Sequence, residues 1–269
     1  MPDASSTDAA GWRPVGELDP GLLGKGRSLA LSVAQWPARV ANSYVTGKTW
    51  VDRMCLLWDA AAGTLVTPSF DRELAIGLDL ATLQMWFLEQ RRRVPHSFDP
   101  EGRSPAQAEA WILVELLHRG VETARFSKAL PYELPDLLSG DAEEYSPQSC
   151  AAALRELTAW YHNASISLRA AAKQIGVAAP PIACNPQNLT LTCRVEVGGE
   201  QPTSQKVELG FSPGEHASDS PYFYIKAADG NPGAPSRLRA ATIIAAGAPQ
   251  TRLAGFFQDA VSALRQSPC

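Results

Sequence analysis

The chain has 269 residues, 45% of them hydrophobic and 19% charged, and a net charge of −4. This balance suits a soluble globular core and excludes a disordered tail. The acidic surplus gives no electrostatic reason to hold a phosphate backbone, so nucleic acid is not expected as a partner.

Residues 1–20 have neither a basic n-region nor an apolar h-region and read as a disordered N-terminal arm without a secretory signal. No window approaches the roughly 18 apolar residues that span a bilayer, so no membrane contact is expected. A first α+β unit is expected over 21–125. Its opening run, Gly21-Leu22-Leu23-Gly24-Lys25-Gly26-Arg27-Ser28, looks like a phosphate loop, but Asp19 stands where the first glycine belongs. It is read as a flexible lead-in to a helix over 29–44, bent near Pro37. Strands are predicted at 54–58, 64–67 and 74–80, with a turn at 60–63. Residues 83–88 are apolar on both parities and fit a buried strand or a helix. Arg91-Arg92-Arg93 reads as a solvated turn. Ser104-Pro105 then opens a helix that stops at Gly120.

Residues 126–145, with two prolines and a polar end, read as an extended connection. A second α+β unit is expected over 146–269. Ser146-Pro147 opens a helix that runs to Gly176, and Leu154, Leu157, Tyr161, Ala164, Leu168, Ala171 and Ile175 form one apolar stripe on it. Strands are predicted at 189–197, 206–211, 222–227 and 238–245, with a Gly198-Gly199 turn after the first. A last helix follows Pro249. The fold class is therefore α+β, with antiparallel β-meanders packed against long helices. Two similar helix–meander–helix units, or one wide sheet built from two such units, both fit this order.

Several constellations have a chemical look that their context removes. Gly210-Phe211-Ser212-Pro213-Gly214 matches G-x-S-x-G, yet the oxyanion donor would fall on Pro213, which has no N–H. It reads as a tight turn. Glu115 and His118 form a single E-x-x-H, whereas a carboxylate-bridged di-metal site needs two. An exposed glutamate and a helix-end histidine are expected instead. His96, His118, His162 and His216 show no ligand spacing, so no metal or cofactor is expected. The five cysteines, Cys55, Cys150, Cys184, Cys193 and Cys269, lack CxxC spacing and predict reduced thiols and a cytoplasmic location. Glu133 and Asp136, in LPYELPD, are a carboxylate pair of the kind that caps turns.

The motifs LPYELPD at 130–136, ALRELTAWYHNAS at 153–165, FSPGE at 211–215 and SPYFYI at 220–225 resemble an uncharacterised bacterial protein family. Relatives there carry Trp-Pro-His-His-Phe-Asp, then Ser-Pro-Gly-Asp and Glu-Pro-Tyr-Phe-Tyr. The resemblance implies a metal or acid–base site at the paired histidines and aspartate. In this chain the family's Trp-Pro-His-His-Phe-Asp is replaced by Asn185, Pro186, Gln187, Asn188, Leu189 and Thr190. Amides and a hydroxyl have no useful pKa and ligate transition metals poorly.

The resemblance thus implies a scaffold that has lost its site. It implies a non-catalytic protein that binds a protein partner or a small molecule. Asn185, Gln187, Asn188, Thr190, Ser212, Glu215, Tyr222 and Tyr224 would form the contact patch, although Tyr222 and Tyr224 also fit plain core packing. The alternative is a hydrolase or transferase that uses Glu215, His216 and Glu133.

Overall fold

The computed structural model describes residues 11–47, 49–134, 137–177, 181–197, 205–215, 219–227, 236–245 and 247–266. His216, Asp136 and the Gly198-Gly199 turn lie outside the described residues.

Helix α1 covers Pro20–Tyr44. Asp19 accepts the Gly21 N–H at 2.8 Å, and Pro20 takes the first helical position, where no N–H is needed. The glycine-rich run expected as a flexible lead-in is therefore helical. Packing explains Gly26, because a Cβ there would lie 2.6 Å from the Cβ of Ala153. Ala153 belongs to α4 (Ala151–Gln174), and the glycine lets the two long helices cross closely. Pro37 sits inside α1 without ending it. Helix α4 starts one turn later than Ser146-Pro147 suggests, after a 3₁₀ turn at Pro147–Cys150. A short α2 (Trp50–Met54) is held by a reciprocal cap between Thr49 and Asp52. The same device, between Ser104 and Gln107, opens α3 (Pro105–His118).

The described strands form one antiparallel sheet with two meanders. The first contains β1 (Leu56–Asp59), β2 (Thr64–Val66), β3 (Leu74–Asp79), β4 (Met85–Glu89) and β5 (Arg92–Phe98). The second contains β6 (Ala183–Asn185), β7 (Thr190–Val197), β8 (Gln205–Ser212), β9 (Tyr222–Ala227) and β10 (Ser236–Arg239). Strands β1 and β6 pair with each other, so the order is β10-β9-β8-β7-β6-β1-β2-β3-β4-β5. Read outward from that central pair, the two halves have the same topology.

Strand β4 settles residues 85–88 of the 83–88 stretch as strand, whereas Leu83, at φ 59°, belongs to the turn before it. Strands β5 and β6 were not foreseen, because both are short of apolar alternation. Gln90 and Arg91, at φ 47° and 65°, make the two-residue turn between the paired Glu89 and Arg92, so only part of the arginine run is turn. The strand expected over 238–245 ends at Arg239. The Ala240 N–H makes the last in-register bond of the ladder, to the Pro221 carbonyl at 2.8 Å; Pro221 has no N–H to return, and α5 (Ala240–Ala245) begins there. The β-branched Thr-Ile-Ile run that suggested a strand instead buries Ile243 at helical spacing. Helix α6 (Pro249–Gln266) closes the described chain.

Alternate strand residues, among them Leu56, Leu65, Ile76, Phe87, Leu191, Leu209 and Phe223, are buried against the helices in one core. Phe87 meets Trp111 of α3 and Phe223 meets Phe257 of α6, with ring centroids 5.5 and 6.3 Å apart. Residues 11–19, expected within the N-terminal arm, run along α4. Asn163 exchanges two 2.8 Å hydrogen bonds with the Arg13 backbone, and Glu156 accepts the N–H groups of Gly16 and Leu18. Residues 126–132 lie against α1, where Tyr132 donates to Gln35 at 2.9 Å and Arg39 to the Lys128 carbonyl at 3.1 Å. Among the described residues no helix is long and apolar enough to cross a membrane.

Candidate functional site on the open face of the sheet

All four long helices, α1, α3, α4 and α6, contribute to the core on one face of the sheet. The opposite face carries no long helix among the described residues. Period-two alternation decides which side chains it presents. The register draws one row across all ten strands: Ser97, Trp86, Gly77, Val66, Leu57, Ala183, Thr192, Gly210, Tyr224 and Arg237. The row repeats itself. On each side an aromatic ring lies flat over a cross-strand glycine. A Cβ on Gly77 would sit 2.8 Å from Trp86 Nε1, and one on Gly210 would sit 2.1 Å from Tyr224 Cζ. Only glycine lets a ring lie on the backbone in this way. A cation stacks on each ring, Arg93 at 3.9 Å from the Trp86 centroid and Lys226 at 5.5 Å from that of Tyr224.

Five of the eight patch residues predicted from sequence lie on this face. Asn185 pairs with Thr190 and Ser212 with Tyr222, and Tyr224 is two residues further along β9. Tyr224 anchors a charged network. Its hydroxyl donates to Glu208 at 3.0 Å, and Glu208 also pairs with Lys226 at 3.0 Å and Arg194 at 3.3 Å. Glu208 is 6% exposed, so these partners compensate a carboxylate removed from water. Burial, and then the Glu208 charge, push the Tyr224 phenol above its ordinary range, while a hydrogen bond with Thr190 works the other way. Sequence reading missed Glu208, Arg194 and Lys226. Alternating charges on a predicted strand were the available signal, but nothing in the sequence says that Glu208 is buried.

A second network lies at the rim. Tyr222 donates to Glu215, and Arg237 lies 3.7 Å from the same carboxylate and 4.7 Å from the Tyr222 ring centroid. Burial and the Glu215 carboxylate raise the Tyr222 pKa, so this phenol also stays protonated. Ser212 is wholly buried and accepts the Gly214 N–H at 3.2 Å, as a turn residue does and an exposed nucleophile does not. Gly214, at φ 110°, leaves room for Arg27, whose guanidinium donates to the Pro213 carbonyl at 2.8 Å.

Gln187 and Asn188 are in the β6–β7 turn, not in a cleft. Asn185 Oδ1 accepts the Gln187 N–H at 3.0 Å, and Asn188 Oδ1 accepts both the N–H (3.1 Å) and the hydroxyl (2.8 Å) of Thr190. Helix side chains take the turn's carbonyls. Gln35 donates to Pro186 O at 2.8 Å, and Tyr161 donates to Leu189 O. These amides hold a turn.

The other candidates are dispersed. Glu115, expected to be exposed, is 4% exposed because Arg119 pairs with it at 2.7 Å. Glu133 is exposed beside α1. His162 approaches the Gly11 carbonyl at 3.0 Å. Burial raises the thiols of Cys55 and Cys193 to about 11 and that of Cys184 to about 12, so none is a thiolate nucleophile near neutral pH. Among the described residues no three of His, Cys, Asp and Glu come together as a metal-ligand group. Compared with known proteins, the chain matches no family model, no curated protein and no solved structure.

Proposed function

We propose that this protein acts by binding rather than by catalysis, through the open face of its second meander. One observation carries the reading: buried Glu208, bonded to Tyr224, fixes the two exposed cations Arg194 and Lys226 on a face without a long helix among the described residues. A phenol held protonated can donate or accept a hydrogen bond but cannot act as a base near neutral pH. The resemblance to a family with paired histidines and an aspartate supports the same reading, because Asn188 and Thr190, at two of those positions, serve the turn. The binder is a protein partner or a small molecule that meets a tyrosine flanked by both charge signs.

Metal analysis combined with charge reversal tests this. The purified chain is expected to hold less than about a tenth of an equivalent of zinc, iron or manganese. In native mass spectrometry the wild type is expected to retain a co-purifying species that Arg194→Glu/Lys226→Glu loses at an unchanged melting temperature. Stoichiometric transition metal overturns the reading, as does a bare monomer for both proteins.

A further inference from the structure

The open face of the first meander forms a groove of about 1030 Å³. Leu57, Val66, Ala75, Trp86, Leu88 and Ile182 give it an apolar lining. Leu57 is 42% exposed, an unusual position for leucine at the centre of a ten-stranded sheet. The volume is at the upper end of small-molecule sites, and the composition, apolar with a few polar groups, is typical of them. From β1 to β4 the groove crosses three strand spacings, roughly 14 Å.

Its charges are not evenly satisfied. Asp59 and Asp79 line it, but their carboxylates already accept backbone N–H groups. Asp59 takes those of Ala61 and Ala62, and Asp79 takes those of Ala81 and Thr82. Arg91 and Arg93 also line it, and among the described residues neither side chain has an ion pair or a hydrogen bond. Arg93 is held in place by its stack on Trp86, which itself rests on Gly77. Its planar fork is therefore oriented before any ligand arrives. Glu73 shares this rim and Arg169 lies on the lining as well, so the charges without a partner are mostly positive.

We propose that this groove binds an amphipathic carboxylate of medium chain length. The chain would lie across Leu57, Val66 and Leu88, and the head group would lie on Arg93 and Arg91. A guanidinium matches a carboxylate through two parallel hydrogen bonds, which makes this head group the best fit to two unpaired arginines. The inference rests on residues other than those of the second-meander patch and stands or falls separately from it.

Titration calorimetry with decanoate, decanol and decyltrimethylammonium tests it on the full chain. The three probes share a chain and differ in head-group charge. Decanoate is expected to bind at least tenfold more tightly than either of the others. Arg91→Gln/Arg93→Gln is expected to abolish that margin while leaving decanol binding unchanged. Because Arg93 also packs on Trp86, a second variant, Leu57→Ser, guards against misfolding, and it should weaken decanoate and decanol alike. Equal affinities for the three probes, no heat with any of them, or undiminished preference for decanoate in the double arginine variant each overturn the proposal.

Discussion

The β1–β2 turn at residues 59–64 and the β6–β7 turn at residues 185–190 have the same geometry and almost nothing else in common. In each, the first residue is an aspartate or asparagine whose Oδ1 accepts the N–H two residues on. In each, its carbonyl accepts the N–H four residues on, at 2.9 Å from Gly63 and 2.8 Å from Leu189. The fifth residue has positive φ in both, 68° at Gly63 and 57° at Leu189. Glycine adopts that conformation freely, whereas leucine pays a cost of about 1 kcal/mol or more. The second turn tolerates it because Leu189 is fully buried and Tyr161 takes its carbonyl. The first turn is thus held by its own residues, and the second by its own asparagines together with the helices above it. Positions 187 and 188 correspond to Ala61 and Ala62. The turn itself requires no particular side chain there.

The largest expected effect breaks this comparison directly. Leu189→Ala should lower stability by about 2–5 kcal/mol, because it leaves a buried cavity and removes the support for a strained backbone. Gly63→Ala should cost only about 1–2 kcal/mol. Urea unfolding of the two variants measures both, and equal losses would show that burial does not hold the second turn.

Alkaline pH should come next. Burial raises Cys184 to about 12 and Cys193 to about 11, and pushes Tyr161 well up. Above the ordinary thiol value of 9.0 the folded chain retains protons that the unfolded chain releases, so stability is full below pH 9 and falls as pH rises through 11 to 12. Cys55, directly before β1, is raised to about 11 as well, so two of the three shifted thiols lie in the second meander and one at the edge of the first. Cys184→Ala should flatten the decline in melting temperature above pH 9, and an unchanged slope would refute the assignment.

A smaller difference separates the two glycine–aromatic pairs. Gly210→Ala and Gly77→Ala should each cost about 1–3 kcal/mol by overpacking. The loss at Gly210 should be the larger, since its clash is closer and Tyr224 is fixed at its hydroxyl by Glu208. Thermal unfolding of the pair ranks them. The smallest effect is expected from the charge exchange Asp59→Asn or Asn185→Asp, each within about 0.5 kcal/mol, because either side chain supplies the same acceptor. A larger change at 185 alone would reveal a charge-sensitive role for that end of the open face.

The local signals in the sequence were read with uneven success. The helix opened by Ser104-Pro105 and the alternating strand at 189–197 were legible because caps, proline and period-two patterns act within a few residues. The strand at 238–245 and the flexible lead-in at 21–28 were misread. Their outcomes depend on the Pro221 carbonyl and on Ala153, both distant in sequence. Of the patch residues, Asn185, Thr190, Ser212, Tyr222 and Tyr224 were legible as motif residues. Glu208, which holds Tyr224, Arg194 and Lys226, was not, because nothing local marks its carboxylate as buried.

The sequence by itself determined the α+β class, the meander order and the turn residues, since these follow from propensity, capping and alternation along a short stretch of chain. The tertiary structure alone decided that the two meanders join through β1 and β6, which face carries the long helices, and which ionisable groups are buried. The joining of the meanders depends on segments more than a hundred residues apart, and the burial of Glu208 on partners in neighbouring strands 14 to 18 residues away, neither of which a local pattern encodes.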